Sequence, residues 1–167
     1  MLMTFSPHFE SHEFELSGDP VPPGCEPVFG WMCVEVLEPI RGKWGVPIRV
    51  TSGYRSPEGN QAAGGQPKSQ HIATPDYCAC DFTMARDLQV VFDWLRLISG
   101  LPFDQTILER EEWGGPPVCI HVSYVMGDHR RIAGEMLTRG RGPYKQMEVD
   151  EVPATNIATT AIEDAEG

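Results

Sequence analysis

Two features that would place a protein in or across a membrane are missing from this 167-residue sequence. No apolar run approaches the roughly 18 residues that a membrane-spanning helix needs. Residues 1–15 contain no basic region followed by an apolar stretch, which is the pattern of a signal peptide. We therefore expect a protein that is made in the cytoplasm and stays there unless another system exports or releases it.

Basic residues are also scarce. The 13 Lys and Arg residues stand against 24 Asp and Glu residues, giving a net charge of −11. This balance argues against a nucleic-acid partner, which binds a basic surface. After Lys145 there is no basic residue, and the acidic residues are Glu148, Asp150, Glu151, Glu163, Asp164 and Glu166. We predict a single domain over residues 1–145 and an acidic, disordered tail over residues 146–167.

The five cysteines form no recognisable disulfide framework, and their number is odd. Without an export signal we expect them to be free thiols. Cys78 and Cys80 lie close to Asp81, so a thiolate metal site has to be considered. On a strand, however, Cys80 points away from the face that carries Asp81. Small buried cysteines are the favoured interpretation.

Hydrophobic periodicity predicts a mixture of helices and strands without a repeating strand–helix–strand order. Residues 1–28 are rich in Pro and Gly, and we expect them to be irregular. The predicted helices are 27–41, 57–63 and 87–99, each followed by glycine. The predicted strands are 47–51, 77–83, 103–109 and 118–124. This order favours an α+β fold with an antiparallel sheet.

His71, Asp81 and His121 are the residues with the most informative chemistry. Two neutral imidazoles and one carboxylate can bind zinc and leave its fourth position open to water, as in catalytic zinc sites. Spacing alone does not separate such a site from ordinary core or surface histidines. His8 and His12 have a helical i, i+4 spacing but no third ligand, and His129 has no candidate partner.

A candidate general base lies on the strand before His121. If the last two strands form a hairpin with His121 opposite Gln105, then Glu109 lies on the same face, at the mouth of the cleft. A carboxylate there could take a proton from water and pass it to a leaving amine. Glu111 and Glu112 in the connection remain alternatives. Arg55, in a turn before a helix, could bind a substrate carboxylate or stabilise an oxyanion.

Several segments, in this order along the chain, carry a resemblance to a known family. They are Leu37-Glu38-Pro39-Ile40-Arg41, Thr51-Ser52-Gly53-Tyr54-Arg55-Ser56-Pro57, Ser69-Gln70-His71, Ala79-Cys80-Asp81-Phe82, Phe103-Asp104-Gln105, Ile107-Leu108-Glu109 and Ile120-His121-Val122-Ser123. Together they closely resemble the zinc D-alanyl-D-alanine carboxypeptidases and related peptidoglycan endopeptidases, in the branch common among bacteriophages and bacteria. The resemblance spans residues 5–144.

The resemblance implies a small antiparallel sheet flanked by helices, the fold of lysostaphin-type peptidases and the hedgehog domain. It implies one zinc ion on His71, Asp81 and His121. It places Arg55 beside the reacting bond, and Ser69, Tyr54 and Gln105 are candidates for substrate binding. The implied substrate is a peptidoglycan stem peptide, cut at a D-Ala-D-Ala or similar bond by a monomeric, cell-wall-degrading enzyme such as a phage endolysin or a virion-associated protein.

Two departures from the family pattern matter. Asp81 follows His71 by ten positions, three more than is usual in relatives, and residues 74–76 have the character of an insertion. Asp76 is therefore a rival ligand. Val118 stands where many relatives carry their acid/base residue, which leaves Glu109 as the better candidate. These departures support one alternative, a catalytically inert zinc-containing binding module. The acidic tail supports another, a structural component of a phage particle.

Overall fold

The computed structural model describes residues 3–138 and 143–150. Its N-terminal part is more regular than expected, since β1 (Thr4–Ser6) and β2 (Phe9–Glu10) pair antiparallel and a 3-10 turn follows at Ser11–Phe14. The prediction of an irregular start is wrong here. Strands of three and two residues are too short to produce a readable period, and they are held by the aromatic side chains of Phe5, Phe9, Phe14 and Phe29, which pack together in the core.

The first predicted helix is confirmed, and it continues through an internal proline. It consists of α1 (Glu26–Met32), one π-helical stretch (Cys33–Leu37) and α2 (Glu38–Trp44). Within the wider turn the Glu38 amide bonds to the carbonyl of Cys33. This widening lets Pro39, which has no amide hydrogen, lie within the helix. Gly45, with φ 65°, ends it.

Six strands form the main sheet, in the spatial order β3-β4-β6-β5-β7-β8. In chain order they are β3 (Ile48–Ser52), β4 (Tyr77–Met84), β5 (Gln105–Arg110), β6 (Pro117–Val125), β7 (Ile132–Leu137) and β8 (Lys145–Met147). The first four and the α+β class are confirmed, whereas β7 and β8 were not predicted.

The sheet is antiparallel, as predicted, except at one pair, β5 and β7, which is parallel. β4 and β5 already occupy both edges of β6, and β7 therefore pairs with the free edge of β5. The chain reverses once between β6 and β7. Because β5 and β6 are antiparallel, this single reversal makes β7 parallel to β5.

One face of the sheet is covered by helices and the other carries the candidate site. The second and third predicted helices are confirmed as α3 (Pro57–Ala62) and α4 (Leu88–Leu97). α1 contacts β4 and β6, while α4 contacts β5 and β6. The covered face includes the fully buried side chains Cys78, Cys80, Phe82, Leu108, Ile120 and Val122. Strand alternation turns Asp81, Ile107, Glu109 and His121 to the opposite face. All five cysteines are free and four are buried, as expected.

The predicted domain boundary at residue 145 falls inside β8, which pairs with β7. Beyond it, the amide of Asp150 donates to the carbonyl of Arg96 at 2.8 Å, and its carboxylate pairs with Arg131. The rest of the predicted tail, residues 151–167, lies outside the described residues.

Within the described ranges, none of the helices has the length and apolar character to span a membrane.

Candidate metal centre

Two strands and one turn bring His71, Asp81 and His121 together. Asp81 on β4 lies directly opposite His121 on β6 in the antiparallel ladder. His71 comes from a 3-10 turn, Gln70–Ile72, whose preceding Ser69 accepts the His71 amide at 3.3 Å. The Arg55 amide in turn bonds to the His71 carbonyl at 2.9 Å, which ties this turn to the end of β3. All three side chains are buried.

The three candidate ligand atoms converge on one point. His71 Nε2 lies 3.2 Å from Asp81 Oδ1 and 3.2 Å from His121 Nδ1, and the last two atoms are 2.8 Å apart. Zinc–ligand distances of about 2.0–2.2 Å would separate the ligands of a tetrahedral site by roughly 3.3–3.6 Å. The observed spacings are slightly shorter, so small side-chain adjustments would admit the ion.

Protonation around these atoms fits a divalent cation. His71 Nδ1 lies 2.7 Å from the carbonyl of Gly53, which can only accept, so Nδ1 carries a proton and Nε2 is the nitrogen that a neutral ring offers as a ligand. Burial lowers the pKa of His121 against the opposing effect of Asp81. Burial would raise the pKa of Asp81, but His71 and His121 hold it well below its usual range. Neutral imidazoles and an ionised carboxylate are the forms that bind zinc.

Gly53 occupies a place where no side chain fits. A Cβ atom there would lie 2.4 Å from the carbonyl oxygen of Phe14 and 2.5 Å from its Cα. The neighbouring Tyr54 amide bonds to the same carbonyl at 2.8 Å. This close approach places the Gly53 carbonyl against His71 and turns the Tyr54 side chain into the core. The structure thus separates Tyr54 from the metal centre, although Arg55, the next residue, lies beside it.

The centre lies in a cleft of about 750 Å³, which Arg55, Ser69, Gln105 and Glu109 also line. Arg55 donates to Ser52 Oγ through Nε (3.0 Å) and Nη2 (2.6 Å), and its Nη2 lies 3.2 Å from Asp81 Oδ2. The guanidinium therefore holds the second carboxylate oxygen of Asp81 while the first faces the centre.

The register of β5 and β6 differs from the expected one. His121 pairs with Ile107, while Gln105 pairs with Ser123 and Glu109 with Cys119. The shift equals two residues, so Gln105 and Glu109 keep the expected face.

Glu109 has the properties of an acid/base group. Burial, together with the charge of Asp81, raises the pKa of Glu109 to about 7. Glu111 and Glu112, the alternatives, are exposed in the connection between β5 and β6.

The three additional residues between His71 and Asp81 form a tight turn. Thr74 and Tyr77 exchange backbone hydrogen bonds of 2.9 and 3.3 Å, and the Asp76 amide donates to Thr74 Oγ1 at 3.2 Å. The Asp76 side chain is exposed. Among the described residues, the group that could bind a metal consists of His71, Asp81 and His121, without Asp76.

The remaining histidines are engaged elsewhere. His8 pairs with Glu38 at 2.8 Å, His12 approaches Glu10 at 3.3 Å, and the His129 ring packs on Tyr124. Gln70 and Arg130 also line the cleft and were not predicted from the sequence. Gln70 lies inside a quoted segment, but Arg130 falls in a stretch with no motif that marks it.

The fold and the centre define a class: an α+β domain with a zinc-type ligand set and a candidate acid/base carboxyl in an open cleft, as in metallopeptidases. A family model described as peptidase M15 matches residues 7–123, and the chain belongs to this family. Peptidases of the family depend on zinc, and the family implies a peptidoglycan-peptide substrate. The resemblance seen in the sequence is thereby confirmed. No curated protein and no solved structure gives a match.

Proposed function

We propose that this protein is a zinc peptidase that hydrolyses a peptide bond in peptidoglycan stem peptides, as a D-Ala-D-Ala carboxypeptidase or an endopeptidase. The observation that carries the proposal is the convergence of His71 Nε2, Asp81 Oδ1 and His121 Nδ1 to within 3.2 Å of one another in an open cleft. These three atoms would hold one zinc ion.

Glu109 performs the proton transfers in this proposal. It accepts a proton from the attacking water and delivers it to the nitrogen of the leaving amine. In the metal-free protein, burial raises the pKa of this carboxyl to about 7, so that it both accepts and donates a proton readily near neutral pH. When bound, zinc supplies a Lewis acid that polarises the scissile carbonyl and acidifies water.

The other cleft residues orient the substrate and its charge. Arg55, fixed by Ser52, directs the rest of its guanidinium at the charge that develops on the carbonyl oxygen. Ser69 and Gln105 offer hydrogen-bonding groups to the peptide.

The enzyme would act on the bacterial cell wall, as an endolysin or a virion-associated protein. Mass analysis of products from a defined stem peptide separates the two modes of cleavage. A carboxypeptidase releases single D-Ala residues, whereas an endopeptidase releases larger fragments.

No observation favours the inert binding module. Its main support was the insertion at residues 74–76, and the tight turn there leaves Asp81 in the ligand group. Nor does any contact of the described residues favour a structural role in a particle.

The test compares zinc content and muropeptide hydrolysis in three variants. We expect His121→Ala to lose zinc and activity together. Glu109→Gln should retain zinc and lose about 10²- to 10⁴-fold in kcat, because it removes the acid/base group and no ligand. His12→Ala changes an exposed histidine outside the cleft and is the matched control. Full activity of His121→Ala, or wild-type protein without zinc affinity, would refute the proposal.

A further inference from the structure

Arg130 differs from every other cation of the cleft in how it is held. Its side chain is 58% exposed, yet it pairs with Asp104, whose side chain is 1% exposed. Asp104 lies immediately before β5, and Arg130 lies just before β7. The pair therefore places a guanidinium at the end of the sheet where both strands begin, on the wall of the cleft.

The carboxylate of Asp104 fixes Arg130 through several hydrogen bonds. Arg130 Nε donates to both oxygens at 2.9 and 3.1 Å, Nη2 donates at 2.5 Å, and the Arg130 amide donates at 3.1 Å. Gln70 Nε2 donates to the same carboxylate at 2.9 Å. Such a planar, preorganised guanidinium loses little conformational freedom when it binds a further anion.

Part of the guanidinium remains available to a ligand. The bonds to Asp104 use Nε and Nη2, and within residues 3–138 and 143–150 no acceptor bonds to Nη1. Arg55, by contrast, is only 22% exposed and is engaged by Ser52 and Asp81. Arg130 is therefore the more accessible of the two guanidinium groups in the cleft.

The charge of the cleft is less negative than the charge of the chain. The whole sequence carries −11, whereas the cleft is lined by three cations, Arg55, Lys68 and Arg130, and two carboxylates, Asp81 and Glu109. The buried Asp104 carboxylate, which pairs with Arg130, brings these charges into balance. A bound divalent ion would then make the cleft positive, which favours an anionic ligand over a neutral one.

We propose that Arg130 is a specificity-determining residue, whose guanidinium binds a carboxylate of the peptide substrate away from the hydrolysed bond. The inference rests on the proposed function and narrows its substrate class to peptides with a free carboxylate at that position. Asp104 and Gln70 are positioning residues, because they act on the substrate through Arg130.

The experiment uses the full chain loaded with zinc and a series of stem-peptide analogues. In each analogue one carboxylate is replaced by the carboxamide, which keeps the shape and removes the charge. KM and kcat are measured for the wild type, Arg130→Gln, Arg130→Lys and the control Arg49→Gln, which changes an exposed arginine on β3. Binding of each analogue is measured in parallel by calorimetry.

We expect amidation at one position to raise KM about tenfold in the wild type and the control, as the loss of a partly solvated charged hydrogen bond predicts. The same amidation should have no effect on Arg130→Gln and a reduced effect on Arg130→Lys. In both Arg130 variants kcat and zinc content should stay at the wild-type values. If the ion pair of Arg130 with Asp104 had only a structural role, its loss would not change KM in a way that depends on the substrate carboxylate.

The inference is overturned if amidation affects the wild type and Arg130→Gln equally at every position. Should Arg130→Gln not fold, Arg130→Lys and the wild-type series still decide the question, since a wild type indifferent to all amidations refutes it. Failure of the proposed function gives a different result. A wild type that hydrolyses no analogue refutes the peptidase, while calorimetry still reports whether binding depends on the carboxylate and on Arg130.

Discussion

Replacement of Gly53 by alanine tests how the fold positions the candidate metal ligand His71. The new Cβ would lie 2.4 Å from the Phe14 carbonyl oxygen, whereas ordinary contact begins at 3.4 Å, so the backbone at Gly53 or at Phe14 must move by about 1 Å. Overpacking of this kind costs about 1–3 kcal/mol. For a chain of this size the melting temperature should fall by roughly 3–10 °C.

The same movement should weaken zinc binding. The Gly53 carbonyl oxygen, which lies 2.7 Å from His71 Nδ1, would move away from the ring. The hydrogen bond that sets the tautomer and the orientation of the His71 ring would then be lost. Loss of such a supporting bond lowers metal affinity about 10- to 100-fold. The assays are thermal unfolding of the metal-free protein and competition with a chromophoric chelator.

Gly42→Ala is the matched control for Gly53→Ala. Gly42 lies in α2, and a Cβ atom there meets nothing within 4 Å. Alanine should stabilise this helix by about 0.5–1 kcal/mol and leave zinc affinity unchanged. If Gly53→Ala behaves like the control in both assays, the reasoning from the close approach of Gly53 to Phe14 is wrong.

Two further predictions concern buried carboxyl groups. Burial and Asp81 raise the folded-state pKa of Glu109 to about 7, so its ionisation destabilises the metal-free protein as the pH rises from about 4.5 to 7. Glu109→Gln should therefore increase the urea midpoint more at pH 8 than at pH 4.5, and an equal change would contradict this. Burial would raise the pKa of Asp104, but bonds from Arg130 and Gln70 hold it below its usual range. Asp104→Asn should lower the free energy of unfolding by about 2 kcal/mol at pH 7. The loss should be smaller below pH 4, because protonation of Asp104 there removes the stabilisation from the wild type as well. Urea unfolding in which the wild type and the variant differ equally at both pH values would refute this prediction.

The sequence was most informative where chemistry and strand alternation coincide. His71, Asp81 and His121 stand out by residue type, and alternation along a strand separates Cys80 from Asp81 and Glu109 from Leu108. The predicted register of β5 and β6 differs from the observed one by two residues. Because side chains alternate with a period of two, Glu109 nevertheless lies on the predicted face. Alternation identifies the face of a strand but not the residue opposite.

What the sequence did not reveal depends on contacts between distant segments. β7 shows weak alternation, and its parallel pairing arises because β4 and β5 already flank β6. A Cβ atom at Gly134 would lie 2.2 Å from the ring of Tyr144, an exposed side chain that would have to move. The anchoring of Arg130 by Asp104 joins residues 26 positions apart, and neither carries a motif that indicates the other.

The site residues differ in how firmly the backbone holds them. Asp81, Glu109 and His121 lie on three neighbouring strands inside the sheet, whereas His71 lies on a turn of three residues. Folding of the sheet therefore brings together two candidate ligands and the candidate acid/base group, whereas opening of the short turn would move His71 alone. We expect His71 to be the last ligand fixed and the first released, so that opening of this one turn governs the rates of metal capture and release.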